Sequence, residues 1–99
     1  MFTVLESEVF KAWFSELRDR KARARIDARI TRAKGGNLGD WKNVGGAINE
    51  MRIDYGPGYR LLFARRGAAV IVLLCGGDKR TQQADIRRAA QILADFEED

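Results

Sequence analysis

The sequence predicts an α+β domain: a short first strand, two helices, an antiparallel β-meander of three strands and a C-terminal α-helix, with the helices packed on one sheet face. Three observations predict it. Apolar residues recur at helical spacing from Val9 to Ala33, the period changes to two from Ala47 to about Cys75, and helical spacing returns from Ile86 to Phe96. A chain of 99 residues supports one core and not two, so residues 1–99 are expected to form a single domain.

Phe2 to Leu5 reads as the first strand. Ser7 is placed to cap a helix whose apolar side is Val9, Phe10, Trp13, Phe14 and Leu17. Their spacing makes Trp13 and Phe14 core residues. Lys21 to Ala33 follows as a second helix, with a narrow stripe of Ala22, Ile26, Ile30 and Ala33 and with arginines over the rest. Gly35-Gly36-Asn37-Leu38-Gly39 stops it, because glycine and asparagine accept left-handed backbone angles. Trp41, beside that loop, is a candidate exposed aromatic.

In the meander, Ala47, Met51 and Ile53 point one way, and Ile48, Glu50, Arg52 and Asp54 the other. Tyr55-Gly56-Pro57-Gly58 is a turn. Tyr59, Leu61 and Phe63 then share one face, opposite Arg60, Leu62 and Ala64. Arg66-Gly67 closes a hairpin into Ala68–Cys75, whose unbroken apolar character suits a central strand, and Gly76-Gly77 breaks it. The closing helix starts at Thr81 or Gln82 and carries Ile86, Ala89, Ala90, Leu93 and Phe96 on one stripe.

With 45% hydrophobic and 32% charged residues, the composition is globular rather than disordered. No run approaches the ~20 apolar residues that cross a bilayer, so no membrane partner is expected. Met1 to Glu6 shows no basic leader region, and the single cysteine, Cys75, lies inside the apolar run. A cytoplasmic location follows as an expectation. No histidine is present to activate a thiolate, so Cys75 is read as a core residue. The net charge is +4 and the pI about 9.6. Between Arg18 and Lys34, eight cations face only Asp19 and Asp27, whereas Asp95 to Asp99 is an acidic tail. A basic stripe beside an acidic tail favours a polyanion or an acidic protein as partner, and it is equally compatible with a solvated helix face.

The outer sheet face carries the chemistry. Glu50, Arg52 and Arg60 interrupt otherwise apolar strands and point to one side if the strands pair in phase. Lys79 and Arg80 follow the last strand, and Thr81 is a candidate N-cap that would bring free helix amides to the same end. Such a cluster suits an anion with charge on several oxygens, such as a phosphodiester. No cofactor and no metal is expected.

Glu50-Met51-Arg52-Ile53, then Gly56-Pro57-Gly58-Tyr59-Arg60-Leu61-Leu62-Phe63, then Gly76-Gly77-Asp78-Lys79-Arg80-Thr81-Gln82 with Asp85-Ile86, resemble the RelE/ParE toxin superfamily. Within it, the addiction module killer proteins, grouped with HigB-like toxins, are most similar, and Phe10, Trp13, Leu17, Gly36-Asn37 and Gly39-Asp40 extend the match over nearly the whole chain. The resemblance implies a RelE-like fold and a toxin of a type II toxin-antitoxin system. Its activity would be ribosome-dependent cleavage of mRNA, silenced by a cognate antitoxin of helix-turn-helix type, with DNA contacted only through that antitoxin. It also implies that Arg60 stabilises the reacting phosphate, that Glu50 and Arg52 take the place of a basic pair, and that Lys79 and Arg80 form a basic segment. Ile86 stands near the place of a tyrosine that RelE carries in its last helix.

For the reaction, attack by the 2′-hydroxyl of RNA on its own phosphate needs a proton acceptor, a proton donor and charge stabilisation. Glu50 is expected as general base, Arg60 and Arg52 as stabilisers of the phosphorane, and Lys79 as the acid. Tyr59, Arg80, Gln82, Arg25, Arg29 and Arg32 are expected to contact RNA, the last three through the phosphates of ribosomal RNA. Three rivals stay open: a ParE-like inhibitor of DNA gyrase without nuclease activity, a degenerate relative that only binds its antitoxin, and a plain RNA-binding domain.

Overall fold

The computed structural model describes residues 1–97. Five strands form one mixed sheet in the order β1-β5-β4-β3-β2. The elements run β1 (Thr3–Glu6), α1 (Glu8–Glu16), α2 (Arg20–Lys34), β2 (Trp41–Gly45), β3 (Ile48–Ile53), β4 (Tyr59–Arg66), β5 (Val70–Asp78), a 3₁₀ turn (Lys79–Thr81) and α3 (Gln82–Glu97). The α+β class and the meander β3-β4-β5 are as the hydrophobic periods predict. At one edge β1 lies parallel to β5, and at the other β2 extends the meander by a hairpin.

Ser7 caps α1, accepting from Phe10 N at 3.0 Å while its hydroxyl donates to the Leu74 carbonyl at 2.6 Å. One side chain thus satisfies a helix end and ties it to β5. Asp19 caps α2 by accepting from the Lys21 and Ala22 amides. The Ala22 bond is the main reason its carboxyl lies below the usual range.

Two apolar clusters flank the sheet. Phe10 of α1 and Ile26, Ile30 and Ala33 of α2 bury against Met51, Ile53, Leu61, Phe63, Ile71 and Leu73. On the opposite face, Ala89 and Leu93 of α3 bury against Ile48, Leu62, Ala64, Val72, Leu74 and Cys75. The expectation that all helices share one face therefore holds for α1 and α2 and fails for α3. A strand that is apolar on both sides, as β5 is, needs cover on both sides. A register shift between β4 and β5, where Leu62 pairs with Cys75 and Phe63 with Leu73, turns both Leu74 and Cys75 toward α3.

Gly76 and Gly77 do not end β5, which continues to Asp78. A side chain on Gly76 would meet the Trp13 ring, and one on Gly77 would meet the Asp85 carboxylate and the Thr81 hydroxyl. The glycines mark close approach rather than a break. At this end the strand ends of β3, β4 and β5 meet the 3₁₀ turn, from which α3 sets out. In the acidic tail, Phe96 packs beside the second cluster, and residues 98–99 lie outside the described residues. Among the described residues, no helix is long and apolar enough to cross a membrane.

Candidate functional site

At this end of the sheet Arg52 on β3 stands directly opposite Arg60 on β4, and Arg60 opposite Gly77 on β5. The strands pair in the phase that places both arginines on one face. Like charges directly opposite each other are unfavourable unless anions lie nearby. Here each arginine has its own. Glu50, the diagonal neighbour of Arg60, accepts from Arg60 Nη1 at 2.6 Å. Asp40 lies 3.4 Å from Arg52 Nε.

The two pairs differ in kind. Glu50 is wholly buried and the Arg60 side chain 13% exposed, whereas the side chains of Arg52 and Asp40 are 46% and 61% exposed. An exposed pair of that sort contributes little and exchanges partners readily, while a buried pair is fixed. Gln82, at the start of α3, completes the buried pair by donating to the other Glu50 oxygen at 2.8 Å. Arg60 Nε finds no acceptor among the described residues, so its donor fork is only partly used.

A cleft of about 350 Å³ opens here, walled by Arg52, Arg60, Lys79 and Tyr59, by Asp40 and Asp54, and by Ile53 and Gly58. Three of the four residues expected to carry the chemistry thus share it. Glu50 does not. Its carboxylate has no exposed oxygen, and its partners are Arg60 and Gln82 rather than the cleft. This corrects the expectation of Glu50 as a base facing substrate. Glu50 holds Arg60 from beneath, and the half-buried Gln82 supports Glu50 in turn.

Tyr59 lies in the cleft wall with its ring edge-on to Trp13, centroids 6.2 Å apart. Arg80 is exposed and held by Asp78, whose carboxylate accepts from its backbone and side chain. That pairing pulls the Asp78 carboxyl down and the Arg80 guanidinium up. Thr81 is not the N-cap: Asp78 caps the 3₁₀ turn, and the Thr81 hydroxyl donates to Asp85 at 2.5 Å.

The α2 arginines divide. Arg29, expected on RNA phosphates, is buried and donates to the carbonyls of Arg52 (2.5 Å), Leu38 (3.0 Å) and Asp40 (3.0 Å). Burial, and secondarily Arg32, pulls its guanidinium below its usual value. The loop carrying Asp40 and the backbone of Arg52 hang on this residue. Gly39 makes room for it: a Cβ there would sit 2.9 Å from the guanidinium. Arg25 and Arg32 stay exposed and line a second cleft beside the first.

Asp40 and Asp54 were not among the expected site residues. Asp40 sits in a glycine-bounded loop with no periodicity, and Asp54 at the last step of a strand looks like ordinary turn polarity. Cys75 is buried, and burial pushes its thiol up to about 12, with Asp85 adding to the effect. Among the described residues, no group of three or more Cys, Asp or Glu is arranged to hold a metal ion.

The family model of phage-derived Gp49-like proteins matches residues 12–96, which includes every wall of the cleft. The chain is also similar to a protein of Haemophilus influenzae described only as uncharacterized, 48% identical over 80 residues, which cover 81% of each chain. The chain therefore belongs to the phage-derived Gp49-like protein family, a toxin-like family related to RelE and the addiction module killers.

Proposed function

We propose that this protein is the toxin of a type II toxin-antitoxin pair, a HigB-like mRNA endonuclease that acts in the cytoplasm on translating ribosomes. The observation that carries the reading is the facing pair Arg52 and Arg60 in a cleft with Lys79, with Arg60 held by a buried carboxylate. Opposed guanidiniums beside a lysine fit a phosphodiester, and a guanidinium fixed from behind is preorganised for the charge that builds on it.

In this mechanism the 2′-oxygen attacks the adjacent phosphorus, Arg60 and Arg52 stabilise the dianionic phosphorane, and Lys79 protonates the departing 5′-oxygen. Lysine suits the donor role better than arginine, which does not give up its proton. Tyr59 offers a ring for an unstacked base. Arg80, exposed beside the cleft, and the α2 arginines 25 and 32 supply electrostatic contacts to RNA phosphates. The antitoxin, of helix-turn-helix type, covers the basic surface and carries the pair to DNA.

Arg60→Ala is a poor test, because it would leave the Glu50 charge buried without its partner. Arg60→Lys keeps the charge and loses the fork, and Arg52→Ala and Lys79→Ala alter residues at the surface of the cleft. All three should abolish growth inhibition and codon-linked cuts seen by primer extension on translated message, with antitoxin binding retained. DNA breaks without RNA cuts would establish the gyrase reading instead. Antitoxin binding by a non-toxic wild type would establish a binding-only relative.

A further inference from the structure

We propose that Asp54 takes the proton from the 2′-hydroxyl, and that the nucleotide bearing that hydroxyl lies across the junction of two cationic clefts. The inference rests on the endonuclease reading above and fills the role that the burial of Glu50 leaves open.

The second cleft, about 330 Å³, runs along α2 between Arg25, Arg29 and Arg32 on one side and Ile53 and Asp54 on the other. Ile53 and Asp54 also wall the first cleft, so the two clefts adjoin at Asp54. Arg25 is braced there: its guanidinium lies 4.7 Å from the centre of the Tyr55 ring, and the Tyr55 hydroxyl donates to Asp19 at 3.1 Å. A cation stacked on a fixed ring loses less freedom on meeting an anion.

Two carboxylates, Asp40 and Asp54, wall the first cleft and Glu50 lies beneath it; of the three, Glu50 and Asp40 are engaged. Glu50 is buried between Arg60 and Gln82, and Asp40 is turned to Arg52. Asp54 is exposed and makes no side-chain hydrogen bond or ion pair among the described residues. The groups sharing the two clefts with it are Arg52, Arg60, Lys79, Asp40 and Tyr59 on the sheet side and Arg25 and Arg32 from α2, while Arg29 spends its donors on carbonyls.

RNA has the same order of charges. Each ribose lies between its own 5′ phosphate and the 3′ phosphate that its 2′-oxygen attacks. With the scissile phosphate between Arg52, Arg60 and Lys79, and the upstream phosphate at Arg25 and Arg32, the ribose falls over Ile53 and Asp54. The Asp54 carboxylate accepts the 2′-hydroxyl proton as the O2′–P bond forms. The P–O5′ bond breaks with its electron pair on O5′, which Lys79 protonates. The products are a 2′,3′-cyclic phosphate and a 5′-hydroxyl, and solvent restores both protonation states.

The test measures cutting of a defined message on purified ribosomes at saturating and half-saturating protein, with end-group analysis. Asp54→Asn should lower the saturated rate by ~10²-fold or more, the usual contribution of a positioned base, and leave half-saturation unchanged. Asp54→Glu, which restores a carboxylate, should regain most of that rate, and Arg25→Ala with Arg32→Ala should raise half-saturation instead. Unaltered folding of Asp54→Asn is checked by its unfolding midpoint. A wild-type rate in Asp54→Asn alongside an inactive Lys79→Ala overturns the Asp54 role and spares the endonuclease reading. A wild type that makes no cut overturns both, whereas a linear 3′-phosphate from the outset overturns 2′-hydroxyl attack and the Asp54 role with it, and leaves cleavage standing.

Discussion

The guanidinium of Arg29 on α2 donates to the backbone carbonyl of Arg52 on β3 at 2.5 Å, so a buried arginine fixes the strand that carries an exposed one. Two further bonds, to Leu38 and Asp40, make the same side chain the anchor of the loop before β2. Arg29→Met would keep the stem and strand three carbonyls. It should lower stability by about 3 kcal/mol in urea unfolding, since hydrogen bonds to charged groups contribute about 1.5–3 kcal/mol each and some carbonyls will find water. Arg25→Ala and Arg32→Ala should stay within about 0.5 kcal/mol of wild type. Their effect belongs in the salt dependence of RNA binding, whose log–log slope should fall by ~0.7 for each phosphate that is no longer neutralised.

Glu50 and Gln82 should act through Arg60. Glu50→Gln keeps the shape and an acceptor but removes the buried charge, and about 3 kcal/mol of stability should go with it. Gln82→Ala leaves one carboxylate oxygen without a donor and should cost about 2 kcal/mol. In a double-mutant cycle the two losses should not add, because both report one network. Toxicity should fall in both variants even where the protein remains folded. Additive losses with full toxicity in Gln82→Ala would mean that Arg60 needs no such support.

Much of this is legible in the sequence, and the failures have physical causes. Ser7 as a cap, the Tyr55–Gly58 turn and the phase of Arg52 against Arg60 follow from local chemistry and a period of two. Strand β2 escapes such a reading because Trp41-Lys42-Asn43-Val44-Gly45 is an edge strand with little buried and no alternation to follow. The side on which α3 packs is obscured because Ile48, Leu62 and Ala64 alternate with charges that suggest an open face. A charged residue on a strand face is compatible with solvent, a cleft or a buried pair. Only the arrival of Gln82 from α3 decides that Glu50 is of the third kind. Arginines on a helix pose the same ambiguity, which Arg29 resolves against its neighbours.

Gly76 offers a test of the wall behind the cleft. Its missing side chain lets the Trp13 indole lie on β5, and Trp13 in turn supports Tyr59. Gly76→Ala must displace that ring, at a cost of about 1–3 kcal/mol typical of an overpacked core. The near-ultraviolet circular dichroism of the tryptophans should change with it. Trp13→Leu should relieve the clash, so the double variant should be more stable than Gly76→Ala alone.

Cys75 gives a prediction with a defined pH window. Burial against α3 pushes its thiol from an ordinary 9.0 to about 12 in the folded chain. Below pH 9 the thiol is protonated in both states, and its contribution to stability is constant. Above pH 9 the unfolded chain loses this proton while the folded chain keeps it, so the unfolded state binds fewer protons and stability declines until the folded thiol itself ionises near pH 12. Raised phenols such as Tyr55 act in the same direction, so the comparison must be with Cys75→Ala. Referenced to pH 7, the wild type should lose more unfolding free energy than Cys75→Ala between pH 9 and 11. At pH 8 a thiol reagent should modify Cys75 only as fast as the fold opens. Rapid labelling of the folded protein, or identical pH curves for the two proteins, would show that the thiol is open to solvent and free to serve as more than a core residue.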